Sequence, residues 1–240
     1  MFLQEHEHTI ADLQTERETR DRLFRVAAHD LKNPIANLRM VEYMLRDSFT
    51  TDPVAGQLVD TMQLSLDAME QVVADFLDVV IIQSGKIELH LKCVELGQVI
   101  NNQMLQYNMN AINKDITLKL GEVKGAVMAD QARLDQVVSN LLSNALKYSP
   151  RQTTVSLWVE QMHDKMRLNI SDQGPGIPLE ERSLLFTEFG KLTPRPTGEE
   201  TSTGLGLWIV KQLAEMMGGQ VGVDCPADGG SIFWVELPAC

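Results

Sequence analysis

Two periods of apolar residues divide the chain. Leu3, Ile10, Phe24, Leu31, Leu38 and Leu45 fall on a seven-residue repeat, with Leu13, Ala27, Pro34 and Val41 three positions further on. Arg17, His6 and Arg20 are the polar interruptions of this a/d register. The pattern predicts one long helix over 2–46, bent near Pro34, where the missing N–H and the proline ring disturb the hydrogen-bond ladder. The stretch 47–53 ends it. A second helix follows, its stripe of Ala55, Leu58, Met62, Ser65, Met69, Val72, Phe76 and Val79 widened by Leu66, Val73 and Val80. Two antiparallel helices cannot hide stripes this broad, so two chains are expected to pair as a dimeric four-helix bundle.

The period breaks at Gln83, Ser84, Gly85 and Lys86, and the boundary is expected between Ser84 and Leu91. Beyond it short strands alternate with helices, the signature of an α+β sandwich. Helices are expected over 96–112, 131–147, 179–186 and 205–217, and strands over 116–120, 154–160, 166–172, 221–224 and 231–237. Val155, Leu157 and Val159 share one strand face, as do Met166, Leu168 and Ile170, and Phe233, Val235 and Leu237. The stretch from Leu192 to Thr203 has no apolar period and is expected to be a mobile loop. Trp158, Trp208 and Trp234 are expected in the core.

Composition narrows the function. With 33 acidic against 21 basic residues and a net charge of -12, the chain lacks the clustered positive charge that neutralises nucleic-acid phosphates. Its three cysteines, Cys93, Cys225 and Cys240, are widely spaced, and reduced cytoplasmic thiols are the simplest expectation. The longest apolar run, 76–82, is broken by Asp78 and is short of the ~20 residues a spanning helix needs, so no membrane contact is expected. Glu5, Glu7, Asp12 and Glu16 stand where a secretory leader would be basic and then apolar. Heptads that begin within three residues of Met1 read as cut from a longer protein, with a sensor module upstream.

The register places His29 at f, the position farthest from the partner helix. Asp30 stands at g and Asn33 one turn along on the same face. Such a residue reads either as a solvated surface histidine or, flanked by acid, as a phosphoryl acceptor. Extending the alternation of Met166, Leu168 and Ile170 puts Asp172 on the inward face, directly before Gly174 and Gly176. A carboxylate aimed into a core needs a polar partner, which an amino group on a flat ring would supply, although Asp-x-Gly-x-Gly also occurs in many turns. On the helix over 131–147, Gln136, Asn140, Asn144 and Lys147 stack one turn apart, opposite the apolar stripe. They read as a solvent-facing row or, beside an anionic ligand, as oxygens completing a magnesium shell with Lys147 adding positive charge; Tyr148 would line the edge. Thr203, Gly204, Leu205 and Gly206 open an apolar helix whose free amides would cradle phosphate without a P-loop lysine.

With these residues in order, the chain resembles a sensor histidine kinase of two-component systems over nearly its full length. Residues 24–35 resemble the H box, 140–148 the N box, 172–176 the first glycine box, 186–189 the F box and 203–207 the second glycine box. The resemblance implies a signalling coiled-coil helix over 1–20, a dimerisation and histidine phosphotransfer domain over 21–84, and a catalytic domain of the Bergerat (GHKL ATPase) fold over 92–240. It implies that ATP, with Mg2+, phosphorylates His29, with Asp30 orienting or deprotonating its other ring nitrogen. A response-regulator receiver domain would take the phosphoryl group, and Asn33 would hold a water for dephosphorylating that partner. Asp172 would accept from the adenine amine, Asn144 would ligate magnesium, and Thr203, Gly204, Leu205 and Gly206 would surround the phosphates, with Asn140 and Lys147 beside them. Phe189 would pack against the lid, and Lys191 stands where many relatives carry an arginine aimed at the terminal phosphate, keeping the charge but losing the planar fork. Thr201 and Ser202 replace glycines common in relatives. Two rivals share the pocket: a gyrase- or Hsp90-type ATPase clamp and a non-catalytic dimerising scaffold. Hydrolytic relatives carry a water-activating glutamate one turn before the magnesium asparagine, where this chain has Asn140, an amide that cannot act as a base.

Overall fold

The computed structural model describes residues 31–46, 53–85, 87–188, 190, 193, 197, 203–226 and 229–240. The chain divides into two compact units, Met1–Ile87 and Glu88–Cys240. The expected helix before residue 31 lies outside the described residues.

In the first unit helix α1 (31–46) contains Pro34, and helix α2 (Pro53–Gln83) opens on Pro53, where a missing N–H breaks no intrahelical bond. They run antiparallel. Arg46 donates to Asp60 at 3.1 Å and Gln63 at 2.6 Å, whereas Arg39, two turns earlier, donates to Asp67 at 2.5 Å and Glu70 at 2.8 Å. Between them Ile35, Leu66 and Val73 are buried, with Met62 and Leu77 packed on the cluster. In the heptad register Ile35 and the buried Glu42 occupy e positions. The a/d residues Leu31, Leu38 and Val41 are 53%, 44% and 46% exposed, so the hairpin closes on the edge of the heptad seam and leaves the seam itself open within one chain. Leu58, Met69 and Val72 of α2 are exposed as well.

In the second unit a five-stranded sheet has the order β2-β4-β5-β7-β6, formed by β2 (Thr117–Leu120), β4 (Thr154–Met162), β5 (Lys165–Asp172), β6 (Gln220–Asp224) and β7 (Ser231–Pro238). Only β2 and β4 pair in parallel. Helices α3 (Leu96–Asn113), α4 (Gln131–Tyr148) and α5 (Gly206–Met216) pack with α4 between the other two. Leu134, Val137, Val138, Leu141, Leu142 and Ala145 of α4 are buried, as are Leu157, Leu168, Ile170 and Val235 of the strands, as the alternation predicts. Each fully buried leucine contributes about 1.5–3 kcal/mol.

Asp130 starts α4, accepting from the Arg133 amide at 3.2 Å and from the His90 amide at 2.9 Å. Burial pushes its carboxyl up, but these amide hydrogen bonds outweigh it and hold the group below the usual carboxylate range.

On the other sheet face, register aligns Trp158, Asn169, Trp234 and Gly222 across four strands. Gly222 makes room for the Trp234 indole, since a Cβ there would lie 2.1 Å from it. Arg167 stacks 4.3 Å above that ring while donating to Glu236 at 2.7 Å. Trp158 and Trp234 thus cover the outer face half-buried instead of filling the core, and Trp208 is half-buried on α5.

Three further details differ from expectation. The stretch 179–186 forms a 3-10 helix over Leu179–Leu184, too short and too exposed to bury an amphipathic face. Two four-residue strands, β1 (Lys92–Glu95) and β3 (Ala126–Ala129), pair antiparallel in a separate sheet. Cys93 of β1 and Cys240 are joined in a disulfide with Cα atoms 5.8 Å apart, because the chain beyond β7 runs along β3, opposite β1. Only Cys225 is a free thiol. Among the described residues no helix is long and apolar enough to cross a membrane.

Candidate functional site

The site lies at the end of β5 and the helix ends around it. Asp172, the last residue of β5, continues the inward alternation and is only 5% exposed. Its Oδ1 accepts from the Gly174 amide at 2.8 Å, and its carboxylate also takes the Ser231 amide. Burial dominates these bonds and raises the group to about 6, so at neutral pH an ionised carboxylate stands in a nearly dry position.

Glycines press backbone against backbone around it. A Cβ on Gly174 would come 2.8 Å from the Tyr148 carbonyl oxygen and 2.9 Å from Asp172 Oδ1. One on Gly230, at φ +79°, would come 2.3 Å from the Asp172 carbonyl oxygen, and the Gly230 amide donates to Gly174 O at 3.1 Å. No other residue type fits either place. Gly176 and Gly204 also sit in the left-handed region, at φ +72° and +71°.

Asn140, Asn144 and Lys147 are half-buried on α4, and Tyr148 is half-buried at its end. The Asn140 amide faces the start of α5, its Cγ and Oδ1 3.9 Å from where a Gly206 Cβ would stand. Leu205 precedes that helix, buried at 3% exposure, and provides no side-chain cap; its amide donates to the Thr203 hydroxyl oxygen at 3.3 Å. The structure therefore brings Asp172, Gly174, Gly176 and Tyr148 around one strand end, and Asn140 beside Gly206. Asn33 is exposed on α1. His29, Asp30, Phe189 and Lys191 lie outside the described residues.

The sequence reading missed Gly230 and Ser231. A Gly229-Gly230 pair before a strand signals a turn, but nothing local ties that turn to Asp172. It also missed Lys114 and Thr197, which join at the end of α4: Lys114 Nζ donates to Leu146 O at 2.8 Å and to Thr197 Oγ1 at 3.2 Å.

Residues 129–240 match the family of histidine kinase-, DNA gyrase B- and HSP90-like ATPases, and residues 19–85 match the His Kinase A (phospho-acceptor) domain. The chain is 31% identical over 219 residues to the circadian input-output histidine kinase CikA of Synechococcus elongatus, covering 88% of this chain and 29% of that protein. It is 28% identical over 217 residues to the sensor histidine kinase GacS of Pseudomonas protegens, covering 88% and 24%. The chain thus spans about a quarter of the length of those two curated relatives. Among solved structures it is similar to full-length ShkA in complex with AMPPNP, with TM-score 0.73 and 25% identity over 91% of this chain and 46% of that one. It is also similar to the mycobacterial sensor histidine kinase MprB, with TM-score 0.55 and 32% identity over 62% of this chain and 97% of that one. A phospho-acceptor helical region followed by a GHKL-type ATP-binding domain, with histidine kinases as relatives in both sequence and structure, places the chain in the sensor histidine kinases of two-component systems.

Proposed function

We propose that this chain transfers the γ-phosphoryl group of ATP to His29 and passes it to an aspartate in the receiver domain of a response regulator. The observation that carries the nucleotide half of this reading is the ionisable Asp172, buried among glycines at a strand end. An ionised, dry carboxylate is the natural acceptor for the exocyclic amine of adenine. The uncapped amides of α5 with Thr203, Gly204, Leu205 and Gly206 would hold the phosphates, and Lys147 and Lys191 would add positive charge.

Among the described residues no group of three or more histidine, cysteine or acidic side chains could hold a metal by itself. A single neutral oxygen from Asn144 suits a magnesium ion that arrives already bound to nucleotide phosphates, and that ion would neutralise their charge. The remaining chemistry is positional. One His29 ring nitrogen forms the new bond to phosphorus as the bond to the leaving oxygen of ADP breaks, and Asp30 orients or accepts the proton on the other nitrogen. An imidazole with pKa ~6.5 has a large neutral fraction at neutral pH, so the neighbouring acid need only fix the tautomer. Asn33, exposed on α1, would hold the water that dephosphorylates the regulator. The phosphotransfer would take place in a cytoplasmic homodimer built on the hairpin and driven by an upstream sensor module.

Incubation with γ-labelled ATP tests the reading. The expected product is acid-labile, base-stable phosphate on the protein, absent in His29→Gln; label that persists in that variant, or free phosphate released with none on the protein, overturns it.

A further inference from the structure

We infer that the outer face of α3 is a contact between two copies of this chain, a short helical seam that joins the α+β units of one dimer to each other. The inference goes beyond the phosphotransfer reading, and of that reading it rests only on the pairing of two chains through the hairpin.

Helix α3 carries two apolar stripes. The inner one, Leu96, Val99, Ile100 and Ala111, is buried, and Tyr107 ties the helix to α4 through a hydrogen bond with Ser139 Oγ at 2.8 Å. The outer one is open: Leu105, Met109 and Ile112 are 75%, 61% and 54% exposed. A surface helix needs one apolar stripe, and a helix that is apolar on two sides is covered on two. Gln98 and Asn102, both exposed, continue the outer stripe toward the start of the helix, so that its members follow one another at spacings of four, three, four and three. Residues at those spacings stay in line along the helix and form the a/d seam by which one helix packs on another of its kind.

Charge identifies the occupant. None of the 18 residues of α3 is charged, and its exposed polar positions are all asparagine or glutamine. Each of the other α-helices among the described residues carries at least two charged side chains, and the chain as a whole bears a net charge of -12. In a two-fold contact the same patch meets itself, so a charge there would lose water while facing its own copy. An acidic chain packs closely against itself only through a neutral surface, which α3 supplies. A foreign partner drawn to so acidic a chain would be steered by complementary charge, and this face offers none. Side-chain amides suit self-pairing because each carries both a donor and an acceptor. A methionine-bearing patch without Asp, Glu or Lys has the composition of an interface centre. The seam need not be strong. Two α+β units tethered to one hairpin dimer meet at an effective concentration on the order of millimolar, enough to populate a contact too weak to join free chains.

Short-span bismaleimide cross-linking of the full chain tests this, with Cys225→Ser removing the free thiol. Packed helix axes lie about 8–10 Å apart, within reach of such a reagent. Leu105→Cys is expected to cross-link the two chains of a dimer at a rate independent of protein concentration, at least tenfold faster than Asn110→Cys, which is exposed but off the seam. Adding Met109→Glu should slow the Leu105→Cys reaction at least tenfold, because a two-fold contact places the new charge against its own copy. Ile112→Glu should do the same and decides the matter if Met109→Glu fails to fold. In both charge variants the affinity for trinitrophenyl-ATP should stay within about twofold of wild type, as the seam is on the side of α3 away from its buried stripe. Equal rates at residues 105 and 110 would reduce the contact to random collision and overturn the inference. So would a sedimenting dimer in which Leu105→Cys takes up a monofunctional maleimide yet never cross-links, or protection of that thiol only when a receiver domain is added. A wild-type chain that sediments as a monomer overturns the hairpin dimer as well.

Discussion

The hairpin and the α+β unit differ in what their apolar side chains touch. In the hairpin Val54, Leu58 and Tyr43 are 67%, 68% and 72% exposed, and the buried cluster is small. In the α+β unit Leu134, Val137, Leu142, Leu157 and Ile170 are fully buried in a closed core, even though Leu105, Met109 and Leu179 stay exposed at its rim, and the site is built of a carboxylate, glycines and helix-end amides. One unit leaves most of its apolar stripe uncovered, and the other gathers polar groups at one strand end. A second copy of the same chain can complete the first, whereas a polar, planar, anionic ligand completes the second.

The largest test of that contrast charges the open seam. Leu38→Glu combined with Leu58→Glu is expected to raise the dimer dissociation constant about a thousandfold, ~4 kcal/mol, read by sedimentation at several concentrations. An unchanged sedimentation profile would mean that the exposed face does not hold the dimer together.

A second test asks whether the α+β unit depends on its own covalent closure. The Cys93–Cys240 bond spans a sequence separation of 147, and a cross-link of that kind is typically worth roughly 2–4 kcal/mol. Reduction, or Cys93→Ser, is expected to lower the melting temperature of this unit by roughly 5–15 °C without changing self-association. Calorimetry with and without reductant measures it, and coincident melting curves would show that the packed sheet alone carries the unit.

The smallest effect is set by pH. Asp172 titrates near 6, above the ordinary carboxylate value, so the unfolded chain gives up its proton first. Its contribution to folding is therefore intact in acid and is lost between about pH 4 and 6, by up to ~3 kcal/mol. Nucleotide, which uses the ionised form, should respond in the opposite sense: affinity flat above pH 7 and falling by up to tenfold per unit below 6. Asp172→Asn should bind weakly and show neither trend. A wild-type affinity that stays level down to pH 5 would remove the carboxylate from the binding reaction.

What could be read in the sequence was what is written locally. The stripe of α4, the alternation of β4, β5 and β7, and the inward aim of Asp172 each follow from periods of 3.6 or 2 within one element. What escaped is long-range. β1 and β3 hold four residues each, too few for a period, and pair across more than thirty positions. The Cys93–Cys240 bond, the approach of Gly230 to Asp172 and the meeting of Lys114 with Thr197 exist only after the sheet has closed. The tryptophans of β4 and β7 were misplaced because hydrophobicity does not say which sheet face a large ring covers, and here Arg167 and Gly222 provide a flat seat on the outer one.

Asp130 holds the opening of α4 with one carboxylate oxygen and the His90 amide with the other, two residues past the start of the second unit. The entry of the chain into the α+β unit is therefore pinned to the helix whose far end carries Lys147 and sets the Tyr148 carbonyl against Gly174. One carboxylate fastens both, so Asp130→Ala should slacken that entry without touching a single atom of the pocket.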